Sequence, residues 1–220
     1  MNAELKKYLI ICGHYGCGKT NLSLNLALSM AEQGEAVTVV DLDIVNPYFR
    51  SSDYLSLLEE RGVRLIAPRY SRSTLDIPAL PAEIAATFEM PGRVILDVGG
   101  DDAGATALGR FARYIGELDY DMLYVVNKNR PLTGDSEHAA ALLGEIQAAS
   151  RLKATGVANN THLMGETTEE IILAGIPFAE ETARQLNLPL RFTTAPRAIA
   201  EKLGREDIFP VDIHVKTPWM

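Results

Sequence analysis

The stretch that decides the fold is Tyr8-Leu9-Ile10-Ile11-Cys12-Gly13-His14-Tyr15-Gly16-Cys17-Gly18-Lys19-Thr20. Its first five residues are an unbroken apolar run, the pattern of a strand buried on both faces of a sheet. The next eight match G-x-x-x-x-G-K-[S/T] in full. The residues after them, 19–33, place Leu22, Leu26 and Met30 on one face of a helix that Gly34 ends. Strand, glycine-rich loop and helix in this order form a cradle for a polyphosphate. Glycines at 13, 16 and 18 let the backbone turn and approach a ligand closely. The N–H groups of Gly16, Cys17, Gly18, Lys19 and Thr20 then face the phosphates, and the positive end of the helix adds to them. The pattern predicts that Lys19 reaches the β- and γ-phosphates and that Thr20 ligates Mg²⁺ through its hydroxyl. His14, inside the loop, and Asn21, just after it, complete the stretch expected to touch the nucleotide.

Outward from this loop, apolar strand-like runs alternate with helical patterns. Residues 37–41, 63–67, 93–97, 120–126, 154–159, 190–194 and 208–215 read as strands. Residues 53–61, 81–88, 103–117 and 132–151 read as helices. Residues 168–186 read as one or two, broken near Gly175-Ile176-Pro177, and residues 68–81 as an irregular connection rich in proline. The alternation predicts an α/β, three-layer P-loop NTPase fold. Its sheet is mostly parallel, flanked by helices on both faces, and forms a single domain over residues 1–220. Two strand ends carry carboxylates. Asp41 and Asp43 close the second strand and can project toward one site. Asp97 closes a later strand and precedes Val98-Gly99-Gly100-Asp101; it reads as a Walker-B-type residue holding Mg²⁺ directly or through water. The paired glycines let the backbone turn toward the γ-phosphate.

Composition narrows the function. The 220 residues carry a formal net charge of −8, poorly suited to nonspecific binding along DNA. Arg61, Arg64, Arg69 and Arg72, and again Arg191, Arg197, Lys202 and Arg205, read as solvated surface charges. Two cysteines, Cys12 and Cys17, make neither a disulfide framework nor a zinc site. Cys12 reads as a small buried hydrophobe, and Cys17, inside the loop, as a reactive thiol that bound ATP would shield from alkylation. No apolar run approaches a membrane span, residues 1–7 lack the layout of a secretory signal, and residues 214–220 are too short for an amphipathic membrane helix. A cytoplasmic location is expected, with Trp219 packed on the body.

These motifs together resemble the MinD/ParA-like branch of P-loop ATPases, the CobQ/CobB/MinD/ParA nucleotide-binding domains. The matching pieces are Gly13 to Thr20, Asp41-x-Asp43, Asp97-x-Gly-Gly and the polar Asn127-Lys128 after the strand 120–126. The resemblance implies that Asp43 orients the attacking water, Asp41 supports the Mg²⁺ shell, Asp97 is the Walker-B carboxylate and Gly100 lies near the γ-phosphate. It implies that Asn127 hydrogen-bonds the base, and it implies a nucleotide-dependent homodimer that uses hydrolysis as a timer. One position departs from the family. The signature lysine that follows the first loop glycine, and crosses to a partner's phosphates, is here His14, charged only if its pKa is raised.

The base reading follows from Asn127-Lys128-Asn129-Arg130. Guanine-specific relatives carry an aspartate at the fourth position; an arginine cannot accept a hydrogen bond, which argues for adenine. Asn159 and Asn160, after the next strand, form a second candidate wall. No arginine finger is assignable, although Arg50 in Asn46-Pro47-Tyr48-Phe49-Arg50 is a candidate. Without a finger or signature lysine, turnover falls by about 10³–10⁵, so hydrolysis is expected to be slow. The sequence therefore predicts a Mg·ATP-dependent switch acting on an unknown protein partner. An ATP-dependent ligase or small-molecule kinase of the CobB-like branch, and a module that holds ATP without turnover, are the alternatives.

Overall fold

Eight strands form among the described residues, most of them short buried apolar runs: β1 Tyr8–Gly13, β2 Val37–Asp41, β3 Arg64–Ile66, β4 Arg93–Asp97, β5 Tyr120–Val126, β6 Gly156–Asn159, β7 Leu190–Pro196 and β8 Ile208–Val211. In the computed structural model they make one sheet in the order β3-β2-β4-β1-β5-β6-β7-β8, and every pairing is parallel. The structure describes residues 5–43, 54–67, 80–100 and 102–215, with the backbone alone at 80–82. The expectations for Arg50 and its segment, Arg69, Arg72, residues 68–79, Asp101 and Trp219 lie outside the described residues.

Parallel strands need crossovers, and the crossovers here are helices: α1 Lys19–Glu32, α2 Leu55–Glu60, α3 Leu80–Thr87, α4 Asp102–Gly109, α5 Ala112–Ile115, α6 Ser136–Ser150, α7 Glu169–Leu186 and α8 Arg197–Leu203. Side-chain alternation along each strand splits the core in two. On β1, Leu9 and Ile11 pack with Leu22, Leu24 and Leu26 of α1. Ile10 and Cys12 face the other way, toward Leu108 of α4, Leu143 of α6 and Phe178 of α7. Helices thus cover both faces, as the sequence pattern predicts.

Several elements differ from their sequence expectation. Residues 103–117 are two helices, α4 and α5; α4 ends at Gly109, which abuts the end of α6 so closely that a β-carbon there would lie 2.7 Å from the Ala149 carbonyl oxygen. Helix α6 starts at Ser136 rather than near 132, since Asp135 caps it by accepting the His138 N–H at 2.9 Å. Helix α7 is one helix with Pro177 inside it. Burial of Ile172, Ile176, Phe178, Ala179 and Ala183 along one face outweighs the missing backbone donor. Helix α8, bounded by Pro196 and Gly204, was missed.

Strand β8 ends at Val211, and residues 212–215 run on as an unpaired segment tied to α1. Asn21 Oδ1 accepts the N–H groups of His214 and Val215 at 2.9 and 3.2 Å. Asn25 Oδ1 accepts the Asp212 N–H at 2.7 Å, and its Nδ2 donates to the Asp212 carbonyl at 2.9 Å. One helical turn apart, the two side chains tether this segment to α1.

The strand order places the site. From β1 the chain crosses to β2 over α1 on one face, whereas α4 and α6, after β4 and β5, lie on the other. The loops therefore part at the carboxyl end of β1, and a crevice opens there.

Candidate functional site

The loop between β1 and α1 has the shape its glycines allow. Gly18 has φ 87°, in the left-handed region, and a β-carbon on it would lie 2.3 Å from Asn160 Nδ2 and 3.0 Å from His162 Nε2. No other residue fits so close to these two side chains. On the opposite flank, a β-carbon on Gly100 would lie 2.6 Å from Tyr15 Cα and 2.8 Å from Lys19 Nζ. The Gly99-Gly100 turn after β4 is thereby pressed against the loop. Lys19 is only 7% exposed, and its ammonium donates to the His14 carbonyl oxygen at 3.1 Å.

The carboxylates converge as strand neighbours. Asp41 pairs with Asp97 across β2 and β4, and Ile11 pairs with Asp97 across β1 and β4. Both carboxylates are buried. Asp97 Oδ1 accepts the Ser23 hydroxyl at 3.1 Å, which ties the end of β4 to the second turn of α1. Asp41 Oδ1 accepts the Asp43 N–H at 2.9 Å and so shapes the strand exit that carries Asp43. Asp43 lies against Gly99, whose β-carbon would be 3.1 Å from its Oδ1.

A cavity of about 340 Å³ opens at this point. Its loop end is lined by Tyr15, Gly16, Gly18, Lys19, Thr20, Asp43 and Gly100, and its wall continues through Met164, Ile172, Pro196, Val211, Ile213 and Val215. A polar cradle joined to an apolar slot suits a nucleotide, with phosphates at one end and a flat base at the other. The donor set also suits Mg²⁺, which binds through one or two protein oxygens plus phosphate oxygens and water; Thr20 and Asp43 line the cavity, and Asp97 is joined to α1 through Ser23.

Several sequence-predicted residues stand elsewhere. Asn127 and Asn159 are fully buried and do not line the cavity. Asn127 donates to the His162 carbonyl at 3.3 Å and accepts the Asn129 N–H at 2.9 Å. Asn159 donates to Thr193 Oγ1 at 3.2 Å and accepts the Thr161 hydroxyl at 2.7 Å. Both hold turns at strand ends. Asn21 borders the cavity, but its amide is engaged by residues 212–215. Cys17 contributes loop backbone, yet its thiol is fully buried and its pKa is raised by that burial, so the expectation of a reactive thiol is reversed. Burial, then Lys19 and Arg130, push the His14 pKa below its ordinary value.

Of the asparagine pair expected as a second wall, Asn160 alone lines the cavity, and His162 and Arg130 line it unexpected as contacts. Asn160 donates to the Cys17 carbonyl at 2.7 Å and accepts the Thr194 hydroxyl, pinning the loop to β7. Strand alternation could have separated it from Asn159, which points the other way. His162 Nδ1 accepts the Met164 N–H at 3.2 Å, so Nε2 carries the proton and presents it beside Gly18. Burial, helped by the Arg130 charge, lowers the His162 pKa to about 4. Arg130, which entered the sequence argument only through the base, lies over Gly16.

Comparison with known proteins bears on the fold. No family model matches the chain. Cell division protein FtsY from Thermotoga maritima superimposes with TM-score 0.59 at 18% identity, over 96% of this chain and 69% of that one. The signal recognition particle 54 kDa protein from Aeropyrum pernix K1, in complex with GDP, gives TM-score 0.58 at 18% identity, over 88% of this chain and 42% of that one. The receptor FtsY from Elizabethkingia anophelis, also in complex with GDP, gives TM-score 0.57 at 18% identity, over 88% and 59%. Likeness at this identity shows the fold, and with the loop geometry it defines the class: this is a P-loop NTPase fold. Among curated proteins the chain is 30% identical over 138 residues to 1-deoxy-D-xylulose-5-phosphate synthase of Shewanella loihica, and 28% identical over 137 residues to that of Shewanella sediminis. Each alignment covers 62% of this chain and 21% of the relative, so the chain spans about a fifth of their length. So small a share carries none of that enzyme's activity across. No helix among the described residues is long and apolar enough to cross a membrane.

Proposed function

We propose that the chain binds Mg·ATP and hydrolyses it slowly, as a nucleotide-dependent switch of the MinD/ParA-like class acting on a protein partner. The observation that carries this reading is the convergence of Lys19, Thr20, Asp43 and Gly100 on one cavity at the carboxyl end of β1. Phosphoryl transfer needs charge neutralisation and positioning more than covalent chemistry. Bound Mg²⁺ supplies part of the neutralisation. The Lys19 ammonium exchanges its His14 carbonyl for phosphate oxygens, the loop N–H groups hold the β-phosphate, and Thr20 and Asp97 serve the metal. Asp43, on the strand exit shaped by Asp41, holds water in line with the γ-phosphate. Gly99 and Gly100 sit where a γ-phosphate would push or release the turn after β4, which is how such a site reports its nucleotide.

Adenine is favoured over guanine because Asp43 is the one carboxylate among the described lining residues, and it belongs to the phosphate end. His162 Nε2–H and the apolar slot remain for the base. A nucleotide-dependent homodimer would form with His14 where the family carries its signature lysine. The test is ATP and GTP titration together with phosphate release to water. Wild type should bind Mg·ATP and turn it over slowly, and Lys19→Ala should lose at least about a hundredfold in affinity, since charge-assisted bonds are worth about 1.5–3 kcal/mol each. Unchanged ATP affinity in that variant refutes the site; tighter GTP than ATP refutes the base assignment. Light scattering with a non-hydrolysable ATP analogue tests the dimer.

A further inference from the structure

The reaction outlined above gives Arg130 no part, although its guanidinium forms one wall of the same cavity. Its backbone is held firmly. The Arg130 N–H donates to the Asn127 carbonyl at 3.1 Å, and the Arg130 carbonyl accepts the Thr133 N–H at 3.1 Å. One residue earlier, Asn129 N–H is fixed on Asn127 Oδ1 at 2.9 Å, and Lys128 N–H on Thr161 Oγ1 at 3.1 Å. The turn after β5 is thus a rigid mount, and it lays the guanidinium on the phosphate loop. A β-carbon on Gly16 would lie 3.1 Å from Arg130 Cζ, 3.2 Å from Nη1 and 3.3 Å from Nε.

In that position the Nε atom is buried and has no hydrogen-bond partner. Among the described residues Arg130 forms no ion pair. A buried donor on a permanent cation, unmatched by protein, is costly and calls for an anionic acceptor. The planar guanidinium fork matches phosphate oxygens, and the loop beneath it is the phosphate cradle. Lys19 is the cradle's other cation, against a triphosphate bearing several negative charges.

We propose that Arg130 is a second polyphosphate cation supplied in cis, reaching over Gly16 to make charge-assisted hydrogen bonds with the phosphate oxygens of the bound nucleotide. The proposal rests on the nucleotide-binding reading above. It gives the site a cation from its own chain, so neutralisation of the phosphates does not wait for a second copy to contribute one. It also accounts for an arginine at the position where guanine-specific relatives keep an aspartate: the side chain turns from the base toward the phosphates.

The experiment compares wild type, R130Q and R130K by calorimetric titration with Mg·ATP and Mg·ADP, and by ligand-observed NMR with adenosine, at about 50 and 200 mM salt, where screening differs clearly. R130Q should bind Mg·ATP and Mg·ADP roughly ten- to a hundredfold more weakly, equivalent to about 1.4–2.8 kcal/mol. Its adenosine affinity should stay at the wild-type level, and its ATP affinity should depend less on salt. R130K, which keeps the charge without the fork, should fall between and retain the salt dependence. ATP affinity unchanged in R130Q overturns the proposal. So does an equal loss for adenosine and ATP, which would mean that Arg130 only props the loop. If R130Q does not fold, R130K decides: loss of the salt dependence despite the retained charge overturns it. Failure of wild type to bind ATP overturns the nucleotide reading itself; binding by wild type with an indifferent R130Q overturns this inference alone.

Discussion

The neutral His162 beside the loop makes the fold acid-sensitive by a calculable amount. Its pKa is lowered from 6.5 to about 4, first by burial and then by the Arg130 charge. The unfolded chain therefore binds a proton that the folded chain refuses between about pH 6.5 and pH 4. Stability rises with pH wherever the unfolded state holds more protons, so the contribution is intact above about pH 6.5 and is lost as pH falls through that window. At about 1.36 kcal/mol per pKa unit, the full loss is about 3 kcal/mol, and at pH 5 it is already about 2 kcal/mol. Other groups titrate nearby, since His14 and His214 are also lowered by burial. The assay must therefore be a difference. Urea unfolding of wild type and His162→Gln is followed from about pH 7.5 to pH 4.5, and the two stability profiles are subtracted. The variant starts lower, because it loses a fitted ring, but its profile should be flatter by about 2 kcal/mol between pH 7 and pH 5. Parallel profiles within about 0.5 kcal/mol would refute a buried neutral imidazole at this position.

Other perturbations test the remaining contacts. Gly100→Ala drives a β-carbon to 2.6 Å from Tyr15 Cα, a backbone atom that cannot swing aside; it should cost about 1–3 kcal/mol of stability by overpacking and a larger share of ATP affinity, measured by melting and calorimetry, and unchanged affinity would contradict the close approach. Cys17, fully buried with a raised pKa, should resist alkylation in the folded protein at pH 8 with or without ATP and react only on urea unfolding; stoichiometric native labelling would contradict its placement. Asn25→Ala removes two hydrogen bonds to Asp212 and should lower stability by about 1–3 kcal/mol in denaturant titrations while easing proteolysis after Val211; an unchanged midpoint would mean that residues 212–215 hold by other contacts.

Local chemistry made the centre of the sheet legible. Strands β1, β2, β4 and β5 are continuous apolar runs because both of their faces are buried, and a run of that kind reads the same in sequence as in space. The loop Gly13 to Thr20 was equally plain, since its positive φ angles at residues 16 and 18 and its helix N-terminus are properties of one contiguous segment. Boundaries set by partners were not legible. Helix α4 stops at Gly109, where the Ala149 carbonyl on α6 leaves no room for a side chain, and α7 passes through Pro177 over the core beneath it.

The amino-acid order alone determined that a P-loop follows a central strand, with carboxylates on Asp41, Asp43 and Asp97 at neighbouring strand ends. Only the tertiary structure decided which side chains wall the cavity. It turned Asn127 and Asn159 inward to hold their own turns, spent Asn21 on residues 212–215, and brought Asn160, His162 and Arg130 to the loop from segments more than a hundred residues away. The reason is physical: a cradle is made of backbone that neighbours in sequence supply, whereas its walls are side chains that meet only once distant strands are placed in register.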